Sequence, residues 1–227
     1  MFWLSEQKPP FFQATKAEQS DSIDRLISQG TFRRGYYLFL VLATLIVTPG
    51  LFLDNVAVVI GGMILAPLLI PLLSLSLSLV TGNLKGIMRS LRILFLSILI
   101  VLLTAAVMTA ILKNVYEAIP LYPQIISPGV YIFIAFCSGI AGAFAWVKED
   151  YAPAIAGVAT AVALLPPLCI SGIGLAIGDY TLLKGSFVIF AANLLGITMA
   201  AFLVFWILGF LKMRKVEDKV IEKEENI

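Results

Sequence analysis

Two stretches of this chain set prolines inside apolar runs and follow them with small polar side chains. In the first, Pro67 and Pro71 precede Ser74, Ser76 and Ser78; in the second, Pro166 and Pro167 precede Cys169, Ser171, Gly172 and Gly174. A proline within a helix removes one backbone donor and clashes with the carbonyl four residues earlier. The second of two adjacent prolines also pushes Pro166 away from helical angles. The carbonyls freed in this way lie in apolar surroundings, where protein, water or a ligand must satisfy them. Hydroxyls, free carbonyls and half-helix amino termini can coordinate an ion or a small polar solute. Ser74 and Ser78, four residues apart, share one helix face, while Ser76 lies on another. The same residues also suit close helix packing, as do Gly174 with Gly178 and Gly157 with Ala161. Asn193, deep in the last apolar run, reads as a buried amide that caps broken backbone or touches a solute. Asp54, Asp150 and Asp179 stand near run ends, where a carboxylate caps a helix or holds a cation at a vestibule.

Other chemistry has little to work with. The chain contains no histidine, and no ionisable residue occupies the centre of an apolar run. A proton relay through buried acids or histidines therefore has no residues within the runs. No serine or cysteine has an evident base beside it, and a metal site built on two histidines four apart is excluded. The expectation is a protein that is not an enzyme and that carries no metal and no cofactor. A net charge of +2, without an interleaved basic and aromatic patch, gives nucleic-acid binding no support. Cys137 and Cys169 both fall in apolar segments, which argues against a disulfide framework.

The elements that must position these residues come in two copies. Asp54 to Gly82 overlays Asp150 to Gly178 without gaps at an offset of 96 residues, matching Asp54/Asp150, Gly61/Gly157, Pro71/Pro167 and Gly82/Gly178 among others. Three residues inserted in the second copy then bring Leu84-Lys85-Gly86 onto Leu183-Lys184-Gly185. The aspartates, glycines, prolines and this triplet point to internal duplication rather than shared composition.

Residues are 60% hydrophobic and 13% charged, and mean hydropathy is +0.98, whereas soluble domains carry about 25% charged residues. This is the composition of an integral membrane protein. Six runs reach the roughly 20 residues a crossing needs: Tyr36 to Leu53, Val56 to Val80, Ile87 to Leu112, Pro128 to Val147, Ala152 to Ile177 and Leu182 to Leu211. The predicted fold is an all-α integral membrane protein of six transmembrane helices, with breaks in the second and fifth at the prolines. Three spans per copy is an odd number, so the second repeat enters from the opposite side and the two repeats are inverted. The expected organisation is an amino-terminal cytoplasmic segment (1–35), a first three-helix repeat (36–112), an extracytoplasmic loop (113–127), a second repeat (128–211) and a cytoplasmic tail (212–227). Arg33, Arg34, Lys85, Arg89, Arg92, Lys148, Lys212, Arg214 and Lys215 then fall inside, and only Lys113 and Lys184 outside, as positive-inside insertion requires. Before the first span, Ala14 to Gln29 carries Ile23, Leu26 and Ile27 at helical spacing and reads as a membrane-surface helix or a loose tail. The tail from Lys212 alternates charge and reads as a solvated helix end.

The stretch Val59-Ile60-Gly61-Gly62-Met63-Ile64-Leu65-Ala66-Pro67, with Leu164-Leu165-Pro166-Pro167-Leu168 and Gly172-Ile173-Gly174-Leu175, resembles the uncharacterised hydrophobic domain family of prokaryotic membrane proteins, domain of unknown function 389. The resemblance runs from about Tyr36 to Phe210 and implies a multi-pass protein of the cytoplasmic, or inner, membrane. It supplies no catalytic residues. The expected function is a carrier or channel for an unidentified ion or small solute, with its site between the two broken helices. A non-transporting scaffold or stress sensor, in which the prolines only fix shape, is the alternative. The lipid bilayer is the expected partner, and glycine-rich faces such as Gly139-Ile140-Ala141-Gly142 suit a homo-oligomer.

Overall fold

The computed structural model describes residues 13–29, 34–112, 128–151, 153, 157 and 164–225. The expected extracytoplasmic loop, 113–127, and most of the first half of the fifth run, 152–163, lie outside the described residues. Among those described, all regular structure is helical: α1 (Lys16–Gln29), α2 (Arg34–Phe52), α3 (Val56–Leu65), α4 (Leu69–Thr81), α5 (Leu84–Leu112), α6 (Pro128–Val147), α7 (Leu165–Ile177), α8 (Tyr180–Ile207) and α9 (Arg214–Glu225). Short 3-10 turns cover Glu149–Tyr151 and Phe210–Lys212.

Four segments are long and apolar enough to cross a membrane: Gly35–Phe52, Leu84–Leu112, Gly129–Val147 and Tyr180–Ile207. Helices α3 and α4 together form a fifth, bent by 49°. The apolar α7 is 13 residues long, which at 1.5 Å per residue covers about 20 Å of a hydrocarbon layer of about 30 Å. The described residues therefore carry four or five of the six expected crossings. The last span also ends earlier than expected, because the chain turns at Gly209 (φ 86°) into the 3-10 turn before Lys212.

The break between α3 and α4 follows from its two prolines. Ala66, immediately before Pro67, adopts extended angles (φ −75°, ψ 119°), because the proline ring disfavours helical angles in its predecessor. The helix restarts at Leu69 and places Pro71 in its first turn, where a backbone donor has no intrahelical partner to lose. Pro166 and Pro167 also lie in the first turn of α7, Pro167 at the place of Pro71. Pro166 is thus helical where the sequence expectation moved it away from helical angles: at the start of a helix the missing donor and the proline ring meet no preceding turn.

The duplication survives in backbone detail. Leu69–Thr81 and Leu165–Ile177 both have 13 residues and start and stop 96 positions apart. Each ends on a left-handed glycine, Gly82 (φ 68°) and Gly178 (φ 77°). A capping side chain then opens the next long helix: Asn83 Oδ1 accepts from Gly86 N at 3.2 Å, and Asp179 Oδ1 accepts from Leu182 N at 2.9 Å. Packing exchanges the copies, since α4 lies against α8 as well as α5, and α7 against α5 as well as α8. Close approach uses small residues. A Cβ on Gly139 of α6 would come 2.8 Å from the Ile197 Cα of α8, so this glycine face is occupied within the chain.

The two terminal helices depart from expectation. The apolar stripe of α1 is buried against protein, with Ile23 and Leu26 at 0% exposure and neighbours on α4, α6 and α9. Each such side chain contributes about 1.5–3 kcal/mol when removed from water, so α1 is docked rather than loose. The α9 helix is amphipathic, with Ile221 and Glu217 both buried at 1% exposure. A solvated charged helix was expected because its charges dominate its composition, but three or four inward-facing residues suffice to dock it.

Candidate functional site

The first proline-broken span brings its polar residues to a narrow cleft beneath the terminal helices. Pro71, Ser74, Leu77 and Ser78 of α4 form one wall. Opposite lie Gly86, Arg89, Ser90 and Ile93 of α5, with Leu26 and Ile27 of α1 and Glu217 and Ile221 of α9 completing the lining. The space left between them is on the scale of single water molecules.

Each wall is tied to its neighbour. Ser74 Oγ donates to the Leu26 carbonyl at 3.3 Å, linking α4 to α1, and an Arg89 Nη donates to the Ile27 carbonyl at 3.2 Å, linking α5 to α1. Ser78 and Thr81 hydroxyls donate to the two carboxyl oxygens of Glu217. Asn83 Nδ2 donates to Asp218 Oδ1 at 2.9 Å. Gly86 leaves room for this arrangement, since a methyl group there would strike Ser78 Oγ and Glu217 Oε1. Burial pushes the Glu217 carboxyl above the usual carboxylate range; bonds from Ser78, Thr81 and Asn83 recover part of the shift, and neighbouring Asp218 adds to it.

Of the residues singled out from sequence, Pro71, Ser74 and Ser78 line this cleft, and Pro67 stands half-buried at the break above it. The second cluster lies elsewhere. Pro166 and Pro167 open α7, and Cys169 is wholly buried beside Thr48 of α2. Ser171 Oγ donates to the Pro167 carbonyl at 2.9 Å and lies 3.3 Å from that of Leu183, joining α7 to α8. Asn193 is buried in α8. Among the described residues, α4 and α7 each lie mainly on α5 and α8 rather than on one another, and the lining of this cleft includes none of the second cluster.

Among the three aspartates, Asp179 caps α8 through Thr181 N and Leu182 N. Asp54 does not cap α3: it is exposed at φ 48° in the turn, and Asn55 supplies the cap by accepting from Val58 N at 3.2 Å. Asp150 is exposed in the 3-10 turn after α6. Glu217 was missed in the sequence because it sits among alternating charges. Its signal was the flanking Val216, Val220 and Ile221, which give α9 an apolar stripe.

Long apolar helices, a bent span and an outward surface of side chains such as Phe95, Phe133 and Leu195 define a multi-pass helical membrane protein. The chain belongs to the family described as Domain of unknown function (DUF389), whose model matches residues 63–199, more than half of its length. It is 30% identical over 168 residues to an uncharacterized protein of Methanocaldococcus jannaschii, covering 74% of this chain and 52% of that relative. The chain thus spans about half the length of the relative it matches. No solved structure matches.

Proposed function

We propose that this protein is a carrier or channel for a small solute or ion, built as two inverted three-helix repeats in the cytoplasmic membrane with both ends of the chain inside. The observation that carries this reading is the α3–α4 span, broken at Ala66–Pro67 and bent by 49°, with Ser74 and Ser78 turned from its second half into a cleft. Broken spans expose backbone that lipid cannot satisfy, and transporters use such breaks at their sites. The matched lengths and caps of α4 and α7 support duplication. The packing of α1 on α9, with Gln19 Nε2 donating to the Leu208 carbonyl at 2.9 Å, sets the two ends together and supports an even number of crossings. An excess of Lys and Arg on that side supports a cytoplasmic location.

The test is thiol access. In a Cys137→Ser background, native Cys169, and separately Ser74→Cys, are challenged with a charged, membrane-impermeant thiol reagent from each side of sealed vesicles. Reaction at either position, with solute flux in proteoliposomes blocked by the modification, is the expected result. If both stay inert in the folded protein and react only after denaturation, the proline regions are dry, and the scaffold or sensor reading replaces transport.

A further inference from the structure

We propose that Glu217 is a proton-binding site that latches α9 onto the cytoplasmic end of the first broken span: proton bound, the helix is docked; proton lost, it is released. The inference does not depend on transport, since docking is read without measuring flux.

The geometry singles out this carboxyl. It is contributed by a helix outside the spans, yet it is 1% exposed and reaches between α4 and α5. Its direct partners are the uncharged Ser78 and Thr81 hydroxyls and the Asn83 side chain, and the charge acting on it is the like-signed Asp218. Removing a carboxylate from water without a cation opposite is unfavourable, so such a group binds a proton more tightly in place than when free.

The charged groups on the packed elements are occupied elsewhere or exposed. On α5, Lys85 Nζ is 3.8 Å from Glu222, and Arg89 bonds the Ile27 carbonyl. On α1, Glu18 is held by Lys148 and Asp21 by Arg25, while Lys16 and Asp24 are exposed. The sequence of α4 contains no charged residue.

The cradle also accepts both protonation states without moving a heavy atom. When ionised, Glu217 takes the hydroxyl hydrogens of Ser78 and Thr81. When protonated, it donates to Thr81 Oγ1, whose own hydrogen turns to the Ser78 carbonyl at 3.2 Å. The adjoining cleft, where Ser74, Ser78 and Ser90 stand among apolar side chains, has space on the scale of single water molecules beside the carboxyl.

The sign of the effect follows from linkage. A carboxyl raised in the docked state keeps α9 bound most firmly below its ordinary value of 4.5. Docking then weakens as pH rises from there through the raised value, because the undocked form has already lost its proton. Within that window the undocked population grows by up to about tenfold per pH unit.

The experiment uses the full chain in nanodiscs, in a Cys137→Ser, Cys169→Ser background, with Ile221→Cys as reporter because Ile221 is buried under docked α9. Labelling rates are normalised at each pH to the same cysteine in unfolded protein. Infrared difference spectra report the protonated carboxyl directly. The expected result is reporter exposure that rises with pH, a protonated-carboxyl band above pH 4.5, and loss of both in Glu217→Gln, with the reporter staying protected. Ser78→Ala removes a bond that favours the ionised form, so the midpoint of its protonated-carboxyl band moves to higher pH while its reporter is more exposed above pH 4.5; this keeps the test decisive where Glu217→Gln fails to fold. Unchanged pH dependence in Glu217→Gln, absence of the band, or an unmoved midpoint in Ser78→Ala overturns the proposal. So does protection that follows sodium concentration at constant pH, which assigns the site to a metal cation instead.

Discussion

Arg25 and Trp146 hold each other in two ways. The guanidinium lies 5.7 Å from the indole ring centroid, and an Arg25 Nη donates to the Trp146 carbonyl at 3.0 Å. Trp146 Nε1 in turn donates to the Ser22 carbonyl at 3.3 Å. One residue at the end of α6 therefore fixes the middle of α1 by ring face, carbonyl and ring nitrogen. Removing the guanidinium deletes the first two contacts, and cation–π contacts of this kind contribute about 0.5–2 kcal/mol. Arg25→Ala is expected to speed hydrogen exchange across α1 by about fivefold or more, for roughly 1 kcal/mol lost, while leaving α5 and α8 unchanged. Exchange mass spectrometry on the two proteins checks this.

The matched glycines Gly82 and Gly178 provide a test of the repeat at the level of backbone. Both sit at positive φ, and nothing lies within 4 Å of a Cβ built on either. The cost of a side chain there is conformational, about 1–2 kcal/mol for the left-handed region. Gly82→Ala and Gly178→Ala are expected to destabilise the protein by similar amounts, and Gly→Asn at either site by less, because asparagine tolerates that conformation. Unfolding of the four variants in mixed micelles measures the ordering. A loss at one glycine without a comparable loss at the other would separate the two copies.

Much of this architecture was legible beforehand, and what was missed shares one cause. The break after Ala66 was readable because proline acts on its own neighbours, whatever surrounds the helix. The glycine ends of α4 and α7 act just as locally, but from sequence Gly82 and Gly178 were read only as a matched pair and, for Gly178, as a packing residue. The docking of α1 and α9 was not. Both are short, polar-rich helices whose few apolar residues decide their fate only through partners distant in sequence: Ser74 and Leu26, Glu217 and Ser78, Gln19 and Leu208. Glu217 was passed over because acids were sought inside the spans, whereas this one is carried back to the end of a span by a helix beyond it.

Glycines in the spans divide by what faces them, and they should respond with opposite signs. At Gly139 a methyl group would meet the Ile197 backbone at 2.8 Å, and at Gly61 it would meet nothing within 4 Å. Gly139→Ala forces α6 away from α8 and is expected to cost about 1–3 kcal/mol, as overpacking does. Gly61→Ala, within α3, trades a poor helix former for the best one and is expected to be neutral or to stabilise by up to about 1 kcal/mol. Comparing unfolding midpoints of both variants with the parent in one detergent decides it. Equal losses at the two sites would mean that α3 has a neighbour in the membrane that fills the space beside Gly61.

Acid should loosen α1, the reverse of its expected action on α9. Lys148 Nζ lies 3.0 Å from Glu18 Oε1, and Thr15 N donates to Glu18 Oε2 at 2.7 Å. Burial alone would raise the Glu18 carboxyl, but the Thr15 and Lys148 interactions together outweigh it and hold the group below its ordinary value of 4.5. A depressed carboxyl contributes its stabilisation in full above 4.5 and loses it as pH falls through the lowered value. A nitroxide at Ser20→Cys, on the exposed face of α1, is therefore expected to gain mobility on acidification below that point. Lys148→Met should raise its mobility already at neutral pH and flatten the acid response, because most of what depresses Glu18 beyond the local Thr15 bonds is then gone. If the acid response persists undiminished in Lys148→Met, the pair is a surface contact of little consequence, as many partly exposed ion pairs are. In that case α1 is held by Ile23, Leu26 and the Arg25–Trp146 contact alone.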